Sequence, residues 1–277
     1  MKAYFNGSWI ENKITLPLND RALQFGDGAF ETMIYQKGKV NYLHDHLERL
    51  NDALEILHMN PLHLSEAEVN DLVKELIKKN KIEDPARIKL MVWRKGQKQK
   101  AYATSERNRN YLVLANRCNP VDLNILSKVG YSDAIRNYES VRSRFKSLSS
   151  LHYITAAFER DDKDLEELIL LDRKGNLSEC IAANLFWIKD GKVFTPALST
   201  GCINGIMRRQ LVKWCKTQQI EFVETITHPK ILRAAEHVFC TNIAGISIFE
   251  HVASNTYAIS GVLMDLIVRM VLDPDRN

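Results

Sequence analysis

Leucines at positions 43, 47, 50, 54 and 57 recur at the spacing of one helical face. A second stripe follows in Val69, Leu72, Val73, Leu76 and Ile77, opened by Ser65 and Glu68 at capping-box spacing. Two helices that are each apolar on one side need a common surface to cover, and the flanking segments read as one. Tyr4-Phe5 and Trp9-Ile10 surround an Asn6-Gly7 turn, AFETMIYQKGKV carries a hairpin turn at Lys37-Gly38, Arg87 to Trp93 alternates polar and apolar, and Tyr111 to Ala115 is apolar throughout. Strands on both sides of paired helices predict a mixed α/β (α+β) fold for this part of the chain.

Asn119-Pro120 ends these runs, and a residue before proline is biased away from helix. The expected organisation is therefore an N-terminal α/β domain at 1–116, a linker at 117–122 and a C-terminal domain at 123–277, consistent with 277 residues and roughly 100 to 200 per domain. In the second part, Ser147 to Glu159 reads as helix and Glu167 to Leu171 as strand. Asp190-Gly191 marks a hairpin between Ala183–Ile188 and Val193–Thr195. Helices are expected near 205–217, 229–235 and 261–272, and strands near 220–223 and 237–240.

Hydrophobic residues at 45% and charged residues at 26% exclude a disordered or fibrous chain. The charge excess of +4 is spread without a basic block, so no nucleic-acid partner is implied. The longest apolar stretch, Val262 to Leu272, is interrupted by Asp265 and Arg269 and falls short of the roughly 18 residues of a membrane span. MKAYFNGSWIENK lacks a signal-peptide core, which makes the cytoplasm the expected location. Five cysteines (118, 180, 202, 215, 240), without a C-x-x-C pair, predict reduced structural thiols and no metal site.

Catalytic motifs are sparse. Gly26-Asp27-Gly28 lacks the rest of a dinucleotide or Walker fingerprint and reads as a turn. His44 and His46 point to different helix faces and read as surface residues. The loop Gly201-Cys202-Ile203-Asn204-Gly205 before a helix admits two readings, an ordinary loop or a phosphate site made by free backbone N–H groups. Lys146 in RSRFKSLSSL likewise reads either as a solvated lysine or, if desolvated beside Arg142 or Arg144, as a nucleophile or base.

Taken together, FGDGAFET at 25–32, HLERL at 46–50, RFKSLSSL at 144–151, LLDRKGNLSECIAANLFWIKDGKVFTP at 170–196, GCINGIMRR at 201–209 and FCTNIAGI at 239–246 resemble the fold-type IV, or class IV, pyridoxal phosphate enzymes. That family includes branched-chain aminotransferases, D-amino acid aminotransferases and aminodeoxychorismate lyases. The resemblance implies a two-domain fold with pyridoxal 5'-phosphate in the interdomain cleft, joined covalently to Lys146. It assigns Arg49 to the phosphate, Glu179 to the pyridine nitrogen, Ile203 to the ring face, and Ile206, Met207, Thr241 and Asn242 to the phosphate cup. Many relatives carry threonine where Met207 stands, so a hydroxyl contact is lost there. A homodimer acting on a small-molecule amine is also implied.

Within the family the substrate side is most similar to aminodeoxychorismate lyases. Thr32 matches a lyase position near the reacting carbon, ECIAANLFW and NGIMR match lyase segments, and Leu151 replaces the tyrosine of branched-chain aminotransferases. Arg94 and Lys100 are the expected substrate-binding cations, although lyases carry arginine where Lys100 stands, and lysine lacks the planar fork that grips a carboxylate. The expected reaction releases pyruvate and forms 4-aminobenzoate. The alternatives are a class IV aminotransferase for branched-chain or D-amino acids, and a catalytically silent relative that binds the cofactor. Retention of Lys146, Glu179 and Arg49 weighs against the last.

Overall fold

The structure, a computed structural model, describes residues 1–96 and 102–273. It comprises two compact units, one formed by Met1–Pro120 with Phe145–Ser149, the other by Val121–Arg144 with Ser150–Asn277. A short segment far along the chain thus packs with the first unit, which no single linear boundary describes.

The first unit contains β1 (Lys2–Phe5), β2 (Ser8–Glu11), α1 (Arg21–Phe25), β3 (Gly28–Gln36), β4 (Lys39–Val40), α2 (Leu43–Ile56), α3 (Glu66–Asn80), β5 (Ala86–Arg94) and β6 (Arg109–Arg117). Its strands form an antiparallel sheet in the order β2-β1-β6-β5-β3-β4. The expected hairpin turns are present, with Asn6-Gly7 and Lys37-Gly38 at positive φ. Both helices form as the leucine pattern predicts, and α3 has the Ser65–Glu68 capping box.

Period-two alternation on β3 divides its side chains between two faces. Ala29, Met33 and Tyr35 enter the core with Leu47, Leu50 and Leu54 of α2 and Val69, Val73 and Leu76 of α3. Phe30 and Thr32 lie on the other face. The register pairs Phe30 with Met91 and Thr32 with Lys89, so this face continues onto β5. In place of the turn expected at Gly26-Asp27-Gly28, Gly26 ends α1 in the left-handed conformation (φ 63°), and Asp20 caps that helix by accepting from Ala22 and Leu23 N–H.

The second unit contains β7 (Asp122–Leu126), β8 (Val129–Asn137), α4 (Leu151–Asp162), β9 (Glu167–Asp172), β10 (Leu177–Cys180), β11 (Asn184–Lys189), β12 (Lys192–Pro196), α5 (Ile206–Thr217), β13 (Phe222–Thr225), β14 (His237–Asn242), β15 (Gly245–Phe249), β16 (His251–Val252), β17 (Asn255–Thr256) and α6 (Val262–Leu272). Two sheets result, β10-β9-β8-β16-β17 and β13-β12-β11-β14-β15-β7. Their shared core includes Ile169, Leu177, Leu185, Trp187, Val238 and Phe249. Pro229–Ala234, expected as a helix, forms 3-10 turns.

The helix expected from Ser147 begins only at Leu151. The preceding residues are drawn into an extended segment by their bonds to the first unit: Phe30 N–H donates to Lys146 O at 2.8 Å, Leu148 N–H donates to Gly28 O at 3.0 Å, and Ser147 bridges Ala29. Among the described residues no helix is long and apolar enough to cross a membrane.

Leu54 is fully enclosed between the sheet and α3. Leu54→Ala should cost about 2 to 5 kcal/mol, read as a lower urea midpoint for the first unit, because the helices and strands around the cavity cannot collapse into it.

Candidate active site

Lys146 lies on that extended segment rather than at a helix start. Its Nζ stands 5.7 Å from the centroid of the Phe30 ring, and Lys89 Nζ stands 4.7 Å from the same centroid. Thr32 is two residues from Phe30 on the same face and directly opposite Lys89. An amine on an edge segment, a hydroxyl and a second cation are therefore grouped around one aromatic ring. Lys89 was not legible as a site residue from sequence alone. The signal is the β3–β5 register, since only that pairing puts position 89 beside position 32.

The approach of Lys146 to β3 depends on Gly28. A Cβ there would meet Val92 O at 2.4 Å, Leu148 Cδ1 at 2.7 Å and Trp93 Cβ at 2.8 Å. Any side chain would push apart the segment that carries Lys146 and the strand it pairs with.

Arg49 projects from α2 to the core face of β3. Its Nε and Nη2 donate to Glu31 Oε1 and Oε2 at 2.8 and 2.6 Å, a bidentate pair, and His46 Nδ1 lies 2.7 Å from Glu31 Oε2. All three side chains are buried. His46 is accordingly not a surface residue: its phase on α2 turns it onto Glu31, while His44 does point outward and meets Glu66. Burial pushes the Glu31 carboxyl up, but the charge of Arg49 and the hydrogen bonds and charge of His46 outweigh it and hold the group down at about 2.

Arg94 requires a correction. It is buried at the end of β5, where Nε and Nη2 donate to Asp27, Nη1 donates to the carbonyls of His58 and Glu106, and Nη2 also donates to the carbonyl of Leu57. Its five N–H groups are thereby all committed within the first unit, and it fixes the loops around α1 instead of offering a fork to a substrate. Arg21 adds a second cation to Asp27 at 2.6 Å. Lys100 lies outside the described residues.

In the second unit, Glu179 is buried on β10 and faces three donors. Tyr153 Oη donates to Oε1 at 2.7 Å, Asn137 Nδ2 donates to Oε1 at 3.0 Å, and the backbone N–H of Ile203 donates to Oε2 at 3.0 Å. The loop at 201–205 is thus tied to Glu179 through its backbone, and Asn184 holds the same loop by donating to Ile203 O at 2.8 Å. Gly205 precedes α5 without any side-chain cap, and a Cβ on it would meet Asn184 Oδ1 at 2.0 Å. The first turn of α5, with Ile206 and Met207, starts from this glycine.

Thr241 and Asn242 end β14. The Thr241 hydroxyl donates to Gly245 O at 2.7 Å and Asn242 Nδ2 donates to Ala182 O at 3.1 Å, so both side chains brace turns in this structure. Tyr153 and Asn137 carry no signal in the sequence. Neither occupies a motif, and only the crossing of β8, β10 and α4 brings them to Glu179. Among the described residues no group of three or more His, Cys, Asp and Glu side chains is arranged to hold a metal ion.

The family profile described as amino-transferase class IV matches residues 28–247. The chain is 28% identical to the aminodeoxychorismate lyase of Bacillus subtilis (strain 168) over 242 residues, 86% of this chain and 82% of that one. It is also 28% identical to the D-alanine aminotransferase of Listeria monocytogenes serotype 1/2a (strain 10403S) over 245 residues, 87% of this chain and 84% of that one. Among solved structures, the branched-chain aminotransferase from the thermophilic archaeon Thermoproteus uzoniensis with norvaline superposes with a TM-score of 0.86 at 21% identity, covering 98% of this chain and 95% of that one.

The Glu31 cluster gives this part of the chain a defined acid response. With the carboxyl lowered from 4.5 to about 2 on folding, its contribution is complete above the unfolded value and is lost as pH falls through the folded one. Glu31→Gln should lower stability at pH 7 by roughly 3 to 5 kcal/mol, because Arg49 is left buried without its counter-charge. It should also flatten the stability loss that the parent shows between about pH 4.5 and 2, as measured by denaturant unfolding across that range.

Proposed function

Because the chain belongs to the class IV amino-transferase family, we propose that it is a pyridoxal 5'-phosphate-dependent 4-amino-4-deoxychorismate lyase, forming 4-aminobenzoate and pyruvate. The observation that carries the lyase reading is the grouping of Thr32 with Phe30 on the strand face that meets Lys146, which supplies a hydroxyl where a leaving group must be handled. The donor chemistry fits the cofactor. Glu179 is a buried carboxylate held in direction by three donors, and the uncapped, glycine-initiated start of α5 is suited to an anion. When bound, the cofactor supplies an aldehyde for the amine of the substrate and a ring that withdraws electrons from the bonds next to that amine.

The side chains have separable tasks in this reading. Lys146 would hold the cofactor through its amine, and that amine, when free, would take the proton from the substrate ring carbon that bears the amino group. The Thr32 hydroxyl orients a proton donor toward the departing enolpyruvyl group. Glu179 would oppose the positive charge of the pyridine nitrogen and Ile203 would lie against the ring, while Arg49 and the backbone N–H groups of Ile206 and Met207 are the groups that would hold phosphate. Lys89 takes the substrate-side role expected of Arg94, because it offers a cation on the Thr32 face.

The aminotransferase reading draws on the equal identity to a D-alanine aminotransferase. Both readings share Lys146, Glu179 and Arg49 and differ in where the proton is delivered. A homodimer is supported by the exposed apolar residues Leu151, Ile154 and Phe158, which share one side of α4. Cytoplasmic placement is supported by five free cysteines, four of them buried.

Incubation of the holoenzyme with aminodeoxychorismate should yield 4-aminobenzoate and pyruvate in equal amounts. Thr32→Val should reduce turnover about 100-fold while borohydride still fixes cofactor on Lys146. A 2-oxo acid formed from a D- or branched-chain amino acid, with no pyruvate released from aminodeoxychorismate, would decide for the aminotransferase.

A further inference from the structure

Tyr153 has no task in the reading above, yet it makes the shortest of the three hydrogen bonds to Glu179 described above, 2.7 Å to Oε1. It stands in the first turn of α4, and its partner is buried on β10. The other donors are themselves fixed. Asn137 Nδ2, which gives one hydrogen to Glu179, gives the other to Ser178 Oγ at 3.0 Å, and Ser178 Oγ donates to Thr200 O at 3.1 Å. Ile203 N–H belongs to a loop anchored by Asn184 and by Asn204 N–H on Arg144 O. The carboxylate therefore lies in a frame that includes a phenol, an amide and a backbone N–H.

Resting on the reading that Glu179 faces the pyridine nitrogen, we propose that Tyr153 is a positioning residue: its hydroxyl fixes the direction of the Glu179 carboxylate and keeps the shared proton on the ring nitrogen rather than on the glutamate. A hydrogen bond donated to a carboxylate favours its ionised form over the protonated acid. When carboxylate and heterocycle share one proton, each donor on the carboxylate shifts that proton toward nitrogen. Tyr153 can only donate here, since burial and the neighbouring Glu179 charge raise its own ionisation well above the ordinary phenol value. A purely structural tyrosine, anchoring α4 to β10, would hold the helix and leave the ring nitrogen unaffected.

The two roles are separated by the nitrogen itself. Holoenzyme reconstituted with cofactor labelled with 15N in the ring is compared by NMR for the parent, Tyr153→Phe, Tyr153→Gln and Glu179→Ala. Tyr153→Phe keeps the ring and removes only the hydroxyl. Its 15N resonance should move part of the way toward that of neutral pyridine, with kcat reduced about tenfold and KM changed less than about twofold. Tyr153→Gln, which restores an N–H donor, should return the resonance toward the parent position. Glu179→Ala should give the neutral-pyridine resonance. If Glu179→Ala moves the resonance while Tyr153→Phe and Tyr153→Gln both leave it at the parent position, the proposal for Tyr153 is overturned and the reading of Glu179 stands. If Glu179→Ala leaves it unmoved, the reading of Glu179 fails first, and the proposal falls with it.

Discussion

Lys146 owes its position to two backbone hydrogen bonds and to the absence of one carbon atom. Phe30 N–H on Lys146 O and Gly28 O on Leu148 N–H dock the segment Phe145–Ser149 beside β3, and Gly28 leaves no Cβ to hold the chains apart. Everything proposed for the reactive amine follows from that docking, because it sets Lys146 over the Phe30 ring and on the face that displays Thr32 and Lys89. It also explains why α4 begins at Leu151: backbone groups bonded to a strand cannot also close the first helical turn.

The opposite face of β3 follows a different rule. Glu31 is enclosed with Arg49 and His46, and near the strand's start Asp27 is paired with Arg21 and Arg94. Buried charges are stable only when paired and hydrogen-bonded, and two such clusters sit where the sheet meets α1 and α2. Their arrangement is what disqualifies Arg94 as a substrate fork. Arg49 is held in a related way, its guanidinium plane fixed by both oxygens of the Glu31 carboxylate.

How much of this was legible in the sequence depends on whether the signal was local. The stripes on α2 and α3, the Ser65 cap and the turns at Lys37-Gly38 and Asp190-Gly191 arise from short-range chemistry, and they form as read. β7 and β8 gave no separate signal, since their pairings are made with strands distant in the chain. The same distinction runs through the candidate site. Lys146, Arg49 and Glu179 could be named from motif order, whereas Lys89 needed the β3–β5 register, and Asn137 and Tyr153 needed the convergence of three elements on one carboxylate. His46 lies three residues after Leu43 and four before Leu50, so its phase puts it on the buried stripe; what the sequence does not display is the Glu31 partner that β3 brings to it.

Glu31 and Glu179 show how one chain sets two buried carboxylates to different work. Glu31 meets a guanidinium through both oxygens and an imidazole, partners whose charge and hydrogen bonds hold its ionisation at about 2. Glu179 accepts from a phenol, an amide and a backbone N–H, three uncharged donors that fix its direction. A cation beside a carboxylate neutralises its field, whereas a neutral donor aims that field and stabilises it. The first arrangement suits a structural anchor, and the second suits the role proposed for Glu179, an acid opposite a protonated heterocycle. In the role proposed for Glu179, each uncharged donor would stabilise the carboxylate without cancelling its charge: a guanidinium in place of the Tyr153 phenol could hold the same geometry while weakening the attraction for a pyridinium.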